Sequence, residues 1–262
     1  MLAFIRWDVD PAIHIGDFQL RWYGLLFAAA FFSGYKIMQG LFKRENIPLP
    51  QLDSLLIYVV IGTLVGARLG HCFFYEPEYY LAHPIEIIKI WQGGLASHGA
   101  AIGILTALYI YTKKVSKRPY LWIVDKVVIV VALSGLFIRT GNLINAEIVG
   151  KVTDVPWAFI FVRHDLLPRH PAQLYEAIMY TIFFVFLLYS YRRKPAEQID
   201  GKNTGLFLIL IFTMRFFMEF LKASQVDFED HMALNMGQLL SIPFVIAGVV
   251  IMRRATKKSY EL

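Results

Sequence analysis

YLWIVDKVVIVVALSGLFIRTGNLINAE, residues 120–147, decides how this chain is read. From Val127 to Ile138 every residue except Ser134 and Gly135 is apolar. With Tyr120–Lys126 the run approaches the roughly 20 residues a helix needs to cross a hydrocarbon core. Asp125 and Lys126 stand near one end of the predicted span Tyr120–Ile138, and Arg139 closes the other. A polar run then follows, with Asn142, Asn145 and Glu147, where chance would place apolar residues.

Working outward, six further stretches read the same way: Leu20–Phe42, Leu52–Phe74, Gly94–Thr112, Ala172–Tyr191, Thr204–Lys222 and Met236–Met252. The third and sixth spans in chain order are the weakest, because they hold polar residues. Composition agrees. The 262 residues are 57% hydrophobic and 18% charged, against about 25% charged in a soluble domain, and the mean hydropathy is +0.51. The expected architecture is all-α: a polytopic helical bundle of about seven transmembrane helices, forming a single integral membrane domain over residues 1–262.

The net charge of +6 does not point to nucleic acid, because the basic residues fall in short clusters between apolar runs. Lys43 and Arg44 follow the first span, and Lys113, Lys114, Lys117 and Arg118 the third. Arg192, Arg193, Lys194 and Lys202 separate the fifth and sixth, and Arg253, Arg254, Lys257 and Lys258 follow the seventh. Placing these clusters in the cytoplasm sets the N-terminus outside and the C-terminus inside, which requires an odd number of spans. Met1–Leu20 mixes Arg6, Asp8, Asp10 and Pro11 with apolar residues and reads as no signal peptide.

The opposite side carries longer loops. Tyr75–Gly93 contains Tyr79, Tyr80 and Trp91, and its stretch Pro84–Trp91 reads as an amphipathic interfacial helix. Asn145–Pro171 is expected to form a small extracytoplasmic lobe. Ala223–Asn235 is acidic, with Asp227, Glu229 and Asp230. Cys72 stands alone, so no internal disulfide is available, and it reads as a small apolar residue. No metal constellation is visible and no cofactor is expected.

Ionisable groups at bilayer depth cost roughly 2.5–3.5 kcal/mol on insertion scales and mark function. Arg68, His98, Asp125, Lys126, Arg139, Arg215 and Glu219 all fall in or beside the predicted spans. Arg215 and Glu219 share a helix face four residues apart and neutralise each other at least in part. Asp125 and Lys126 read as snorkelling to the cytoplasmic interface. On the predicted topology Arg68, His98 and Arg139 fall toward the outer side of the bilayer. Three cationic or potentially cationic groups at one depth read as a site for an anion, and a lipid phosphate is the anion available there.

The segment Arg139-Thr140-Gly141-Asn142-Leu143-Ile144-Asn145-Ala146-Glu147 resembles the G-R-x-G-N-F-(I/L)-N-x-E signature of the bacterial prolipoprotein diacylglyceryl transferases, with Ile138 for the first Gly and Leu143 for the Phe. Arg21-Trp22-Tyr23-Gly24 and Gly66-Ala67-Arg68-Leu69-Gly70 resemble motifs of that family's first two spans. The stretch from Ile90 to Gly99 is similar to W-x-G-G-(M/L)-x-x-H-G, and Arg169–Glu176 to H-P-(S/T)-Q-L-Y-E. Arg215–Phe220 is similar to R-F-x-x-E-F, and Met236–Pro243 to the start of the last span. A tyrosine the family often carries one turn before the sixth-span arginine is Ile211 here.

The resemblance implies a transferase of the bacterial inner membrane. It would move the diacylglyceryl group of phosphatidylglycerol to the lipobox cysteine of a preprolipoprotein and release glycerol 1-phosphate. Its protein nucleophile arrives on the substrate, so Cys72 is not required. A neutral imidazole is the base type suited to taking the thiol proton, which singles out His98. Guanidinium pairs well with phosphate, which singles out Arg139 and Arg215. Tyr23, Asn142 and Glu147 would position these groups or the lipid, with Arg68 and Gly99 also at the lipid and Glu219 and Asn145 in support. Gly93, Gly94, Gly99 and Gly141 fit either close approach to a head group or helix packing. A transporter or channel using the same charged residues is the rival reading, weakened by the lack of an internal repeat.

Overall fold

The computed structural model describes residues 4–193, 200–223 and 232–260. Asp227, Glu229, Asp230 and Lys194 lie outside the described residues, as do the side chains of Lys257 and Lys258.

Helices occupy each of the seven predicted stretches: α1 (Trp22–Arg44), α2 (Leu49–Phe74), α4 (Ser97–Tyr111), α5 (Tyr120–Asn145), α6 (Ala172–Arg193), α7 (Lys202–Met218) and α8 (Met236–Tyr260). A short α3 (Pro77–Ala82) follows α2. Among the described residues five of them, α1, α2, α5, α6 and α8, are long and apolar enough to cross a membrane. The 15 residues of α4 rise roughly 22 Å, short of a hydrocarbon core of roughly 30 Å. The 17 residues of α7 rise roughly 26 Å, also short of that thickness. Helix α5 runs seven residues past Ile138, so Arg139 stands inside it and not at its end.

The chain divides into two compact units, Met38–Val124 and the combination of Met1–Ile37 with Asp125–Leu262. In the first, α2 and α4 pack through glycines. An added Cβ at Gly66 or Gly103 would collide with the opposing backbone at Gly99 or Gly62, so the two helices approach as closely as their main chains allow. The predicted interfacial helix is instead two single 3-10 turns, Pro84–Ile88 and Ile90–Gln92. Arg68 of α2 holds them, donating to the carbonyls of Glu86 (2.5 Å) and Ile87 (2.9 Å), and Glu86 also accepts the backbone N–H of Lys89 at 3.2 Å, the i to i+3 bond of a 3-10 turn. Ile85, Ile88 and Trp91 remain exposed, in keeping with an interfacial position.

In the second unit, β1 (Ile5–Trp7) pairs in parallel with β4 (Phe159–Phe161), and β4 pairs antiparallel with β5 (Pro168–Arg169). A separate hairpin joins β2 (Ala12–Ile15) to β3 (Phe18–Arg21), which runs straight into α1. Leu143, Ala146, Val149, Phe159 and Phe161 make the core under the sheet, with Trp7 and Leu174 against it. The Trp7 indole donates to the Leu143 carbonyl at 2.8 Å, which ties the sheet to the end of α5.

Asp125 and Lys126 do not snorkel. Asp125 is 7% and Lys126 0% exposed. Helix α7 begins at Gly201, which has no side chain to cap it. Asp125 supplies the cap from α5, accepting from the backbone N–H of Gly201 (2.8 Å) and of Thr204 (2.7 Å) and from the Thr204 hydroxyl (2.5 Å). A carboxylate with three donors is tolerable in the apolar interior, where an unpaired one is not. Lys126 sits over the Tyr191 ring at 5.2 Å.

Replacing Asp125 with Ala leaves buried donors unmet, so the protein should lose about 1–3 kcal/mol of stability. Asp125→Asn, which keeps an acceptor, should lose less, and thermal unfolding in detergent distinguishes the two. In the Asn145–Pro171 segment, Arg169 donates to Asp165 at 2.8 and 2.5 Å and holds its carboxyl below the usual range. A lowered carboxyl stabilises above its ordinary titration range, and that contribution is lost as pH falls through the lowered value. The protection factors of the amides around residues 165–169 should therefore fall at acid pH in the native chain, and Asp165→Asn should flatten that dependence.

Candidate functional site

The polar run that follows the fourth apolar stretch folds back on itself. Helix α5 ends in a Schellman arrangement, with Glu147 N–H on the Asn142 carbonyl (2.9 Å) and Ala146 N–H on the Leu143 carbonyl (3.1 Å). Ala146 takes the left-handed conformation this requires, φ 55°, without being glycine, at a cost of roughly 1–2 kcal/mol. The turn brings the Glu147 carboxylate back onto the amides of Asn142 and Asn145, each at 3.1 Å. Asn142 in turn accepts from Arg139 at 3.2 Å. Tyr23 lies across Gly141, where an added Cβ would strike its ring, within electrostatic reach of Glu147 and Arg139. Tyr23, Arg139, Asn142, Asn145 and Glu147 are thus brought together.

Arg139 has a second partner. Its Nε stands 2.7 Å from Oε2 of Glu176, an ion pair in which that oxygen, itself buried, makes no hydrogen bond among the described residues. The other Glu176 oxygen meets Lys222 Nζ at 2.7 Å, and Lys222 meets Glu219 at 3.3 Å. Glu219 completes the row, with Arg215 Nε at 4.0 Å and the Asn235 amide at 3.1 Å. The two arginines predicted for an anion are therefore the ends of one alternating row: Arg139, Glu176, Lys222, Glu219, Arg215. Its middle is dry, with side-chain exposures of 2% at Glu176 and 4% at Lys222, while Arg215 is 45% exposed. Tyr180 lies within electrostatic reach of Arg139, Glu176 and Arg215, and it packs against the cluster that includes Ile211.

Glu176 and Lys222 are absent from the residues the sequence singles out. Glu176 is the last residue of the Arg169–Glu176 motif, and Lys222 follows Glu219 by three positions at the end of a polar span. Two more charges at membrane depth were the available signal.

In the Met38–Val124 unit the two predicted residues differ in kind. Arg68 is 3% exposed, and among the described residues its hydrogen bonds go to main-chain carbonyls: Glu86, Ile87, Gly93 (2.7 Å) and Gly94 (3.4 Å). It also lies 5.0 Å from the Tyr80 ring centroid. Gly93 and Gly94 have φ of 90° and 67°, conformations that exclude most side chains. His98, the second residue of α4, is exposed and stands against Phe74 (5.3 Å) and Tyr75 (5.7 Å). Gly99 is filled by Gly66 and Gly70 of α2, which is the helix-packing role. Among the described residues no group of three or more His, Cys, Asp and Glu side chains is placed to hold a metal. Outside the helices, burial lowers the His170 imidazole, whose Nδ1 lies 3.3 Å from the Tyr175 hydroxyl.

Residues 10–254 match the family model for prolipoprotein diacylglyceryl transferase. A protein of Tolumonas auensis is 49% identical over 253 residues, covering 96% of this chain and 98% of its own. One from Chloroherpeton thalassium is 46% identical over 98% of this chain and 96% of its own, and one from Bacteroides fragilis 45% over 96% and 95%. Each bears the name phosphatidylglycerol–prolipoprotein diacylglyceryl transferase.

Proposed function

The chain belongs to the prolipoprotein diacylglyceryl transferase family, and on that premise we propose that it transfers the diacylglyceryl group of phosphatidylglycerol to the lipobox cysteine of preprolipoproteins. The thiol loses its proton, the thiolate sulfur attacks the glyceryl carbon, and the carbon–oxygen bond to phosphate breaks. A thioether forms and glycerol 1-phosphate leaves. The observation that carries this reading is Arg139, a guanidinium inside a long apolar helix that is oriented from behind by Glu176 and Asn142. An arginine so held binds a phosphodiester in low dielectric and steadies the charge that grows on the leaving oxygen.

Arg139 is assigned to the phosphate and the more exposed Arg215 to the same anion as a second cation. His98 is assigned as the base, since arginine stays protonated and a neutral imidazole does not need to. Tyr23, Asn142 and Glu147 position the lipid and Arg139, and Glu219 holds Arg215. The hydrogen bonds of Arg68 to four carbonyls support a different role from the lipid contact expected of it: fixing the 86–94 loop ahead of His98. Gly99 likewise serves the packing of α2 on α4.

The same reading places the protein in the bacterial inner membrane as a single seven-span domain, with α4 and α7 as the two short spans. The N-terminus is outside and the C-terminus cytoplasmic, with basic clusters at the cytoplasmic ends. The Asn145–Pro171 segment, with its sheet and its loops, forms the extracytoplasmic lobe.

Purified protein in phosphatidylglycerol-containing nanodiscs should lipidate a lipobox peptide, and a peptide with Ser for Cys should not react. Arg139→Ala should lower transfer by about 10²-fold or more, the scale of losing a preorganised electrostatic contact. Undiminished transfer in that variant refutes its phosphate role. His98→Gln should slow transfer by roughly 10²–10⁴-fold and change the pH profile on its acid side. A variant with full activity and the native profile assigns the proton to another group.

A further inference from the structure

The row from Arg139 to Arg215 holds three cationic groups and two carboxylates, which leaves one positive charge. A phosphodiester carries one negative charge, so the row with its ligand is neutral. That match depends on its middle member. Lys222 stands between Glu176 and Glu219, 2.7 Å from one and 3.3 Å from the other, and is itself almost fully buried. Its backbone is pinned on both sides: Lys151 N–H donates to the Leu221 carbonyl at 2.8 Å and Ala223 N–H to the Val149 carbonyl at 3.2 Å. Gly150 faces it across this bridge, in a space where an added Cβ would strike His170 and Leu221. The other carboxylate nearby, Glu147, is exposed and stands behind Asn142, so water and two amides answer its charge.

We propose that Lys222 is a positioning residue for the anionic lipid: it neutralises Glu176 and Glu219 so that Arg139 and Arg215 present net positive charge to one phosphodiester. This rests on the transferase reading above and deepens it. Without Lys222 the two carboxylates are left facing the two guanidiniums, the row has no net charge, and each arginine turns inward to a carboxylate in place of the ligand. Lys222 touches no reacting atom in this role. It sets where two cations point and how much of their charge is free, so its removal acts on lipid affinity more than on the chemical step.

The test is a charge series in nanodiscs, reading KM for phosphatidylglycerol against kcat, with binding of a short-chain phosphatidylglycerol over a short-chain phosphatidylcholine measured separately. Lys222→Met should raise KM about tenfold, the change expected when about one charge-assisted interaction with the ligand is lost, while kcat moves by less than about threefold. Lys222→Arg should stay near the native values. The deciding variant is Lys222→Met with Glu219→Gln, which restores one net positive charge and should bring KM severalfold below that of Lys222→Met, short of native because Glu219 also holds Arg215. A role confined to packing predicts the opposite, because the second change removes another buried partner. A native KM in Lys222→Met, or a double variant no better than the single, overturns the proposal. If Lys222→Met does not fold, binding by the double variant decides alone: a retained preference for short-chain phosphatidylglycerol over short-chain phosphatidylcholine supports the proposal, and loss of that preference overturns it. If the native protein binds the lipid but transfers nothing, the transferase reading fails, and the binding series still judges Lys222 by the same pattern.

Discussion

A charge in hydrocarbon must meet an opposite charge or a set of donors, and the second unit of this molecule is arranged around that requirement. Five charged side chains lie in one row, and each carboxylate has a cation on either side. Buried ion pairs seldom add much stability, because desolvation offsets the attraction, while removing one partner is strongly destabilising. The row is therefore poor as a means of holding the fold and good as a means of fixing cations. Its dry centre, at Glu176 and Lys222, locks the geometry. Its ends are the more accessible part, with Arg139 held by Asn142 and Arg215 open.

Much of the surrounding structure follows from where that row must be anchored. Helix α6 brings Glu176, the end of α7 brings Glu219, and the turn after it brings Lys222. Asp125 caps the start of α7 from α5, so one buried carboxylate sets the helix that delivers another. Arg139 and Asn142 come from the last turns of α5, and the left-handed turn at Ala146 returns Glu147 to them. The small sheet and its Leu143–Phe161 core hold that turn, through the Trp7 indole on the Leu143 carbonyl. The small sheet thus serves one end of one helix.

The helical stretches were legible because runs of mostly apolar residues near twenty long leave little choice, and the helices stand where hydropathy puts them. Their ends were not. Arg139 looks like a terminus in sequence, since polar residues follow it, yet Thr140–Asn145 keep helical geometry because Asn142 and Asn145 find partners in Glu147. Pro84–Trp91 has the amphipathic pattern of a helix, but hydrophobic spacing does not reveal that a distant arginine takes its carbonyls. Asp125 and Lys126 looked interfacial because they lie close to a basic loop. That they are buried depends on Gly201, Thr204 and Tyr191, more than sixty residues away.

The site residues divide along the same line. Arg139, Asn142 and Glu147 lie within nine residues of each other, and their spacing carries their relation. Arg68 shows where residue type misleads. A buried arginine reads as an anion site, yet main-chain carbonyls satisfy a guanidinium as well as a phosphate does. What separates it from Arg139 is the partner: carbonyls hold a loop, whereas Glu176 and Asn142 orient the guanidinium from behind. Lys222 is the converse. A lysine at the end of a span reads as an anchor at the membrane edge. Only the fold, by pinning its backbone at Gly150, turns its ammonium inward to separate two carboxylates. Charge at membrane depth announces a site, and which charges bind and which hold the binders is decided by contacts that sequence spacing does not encode.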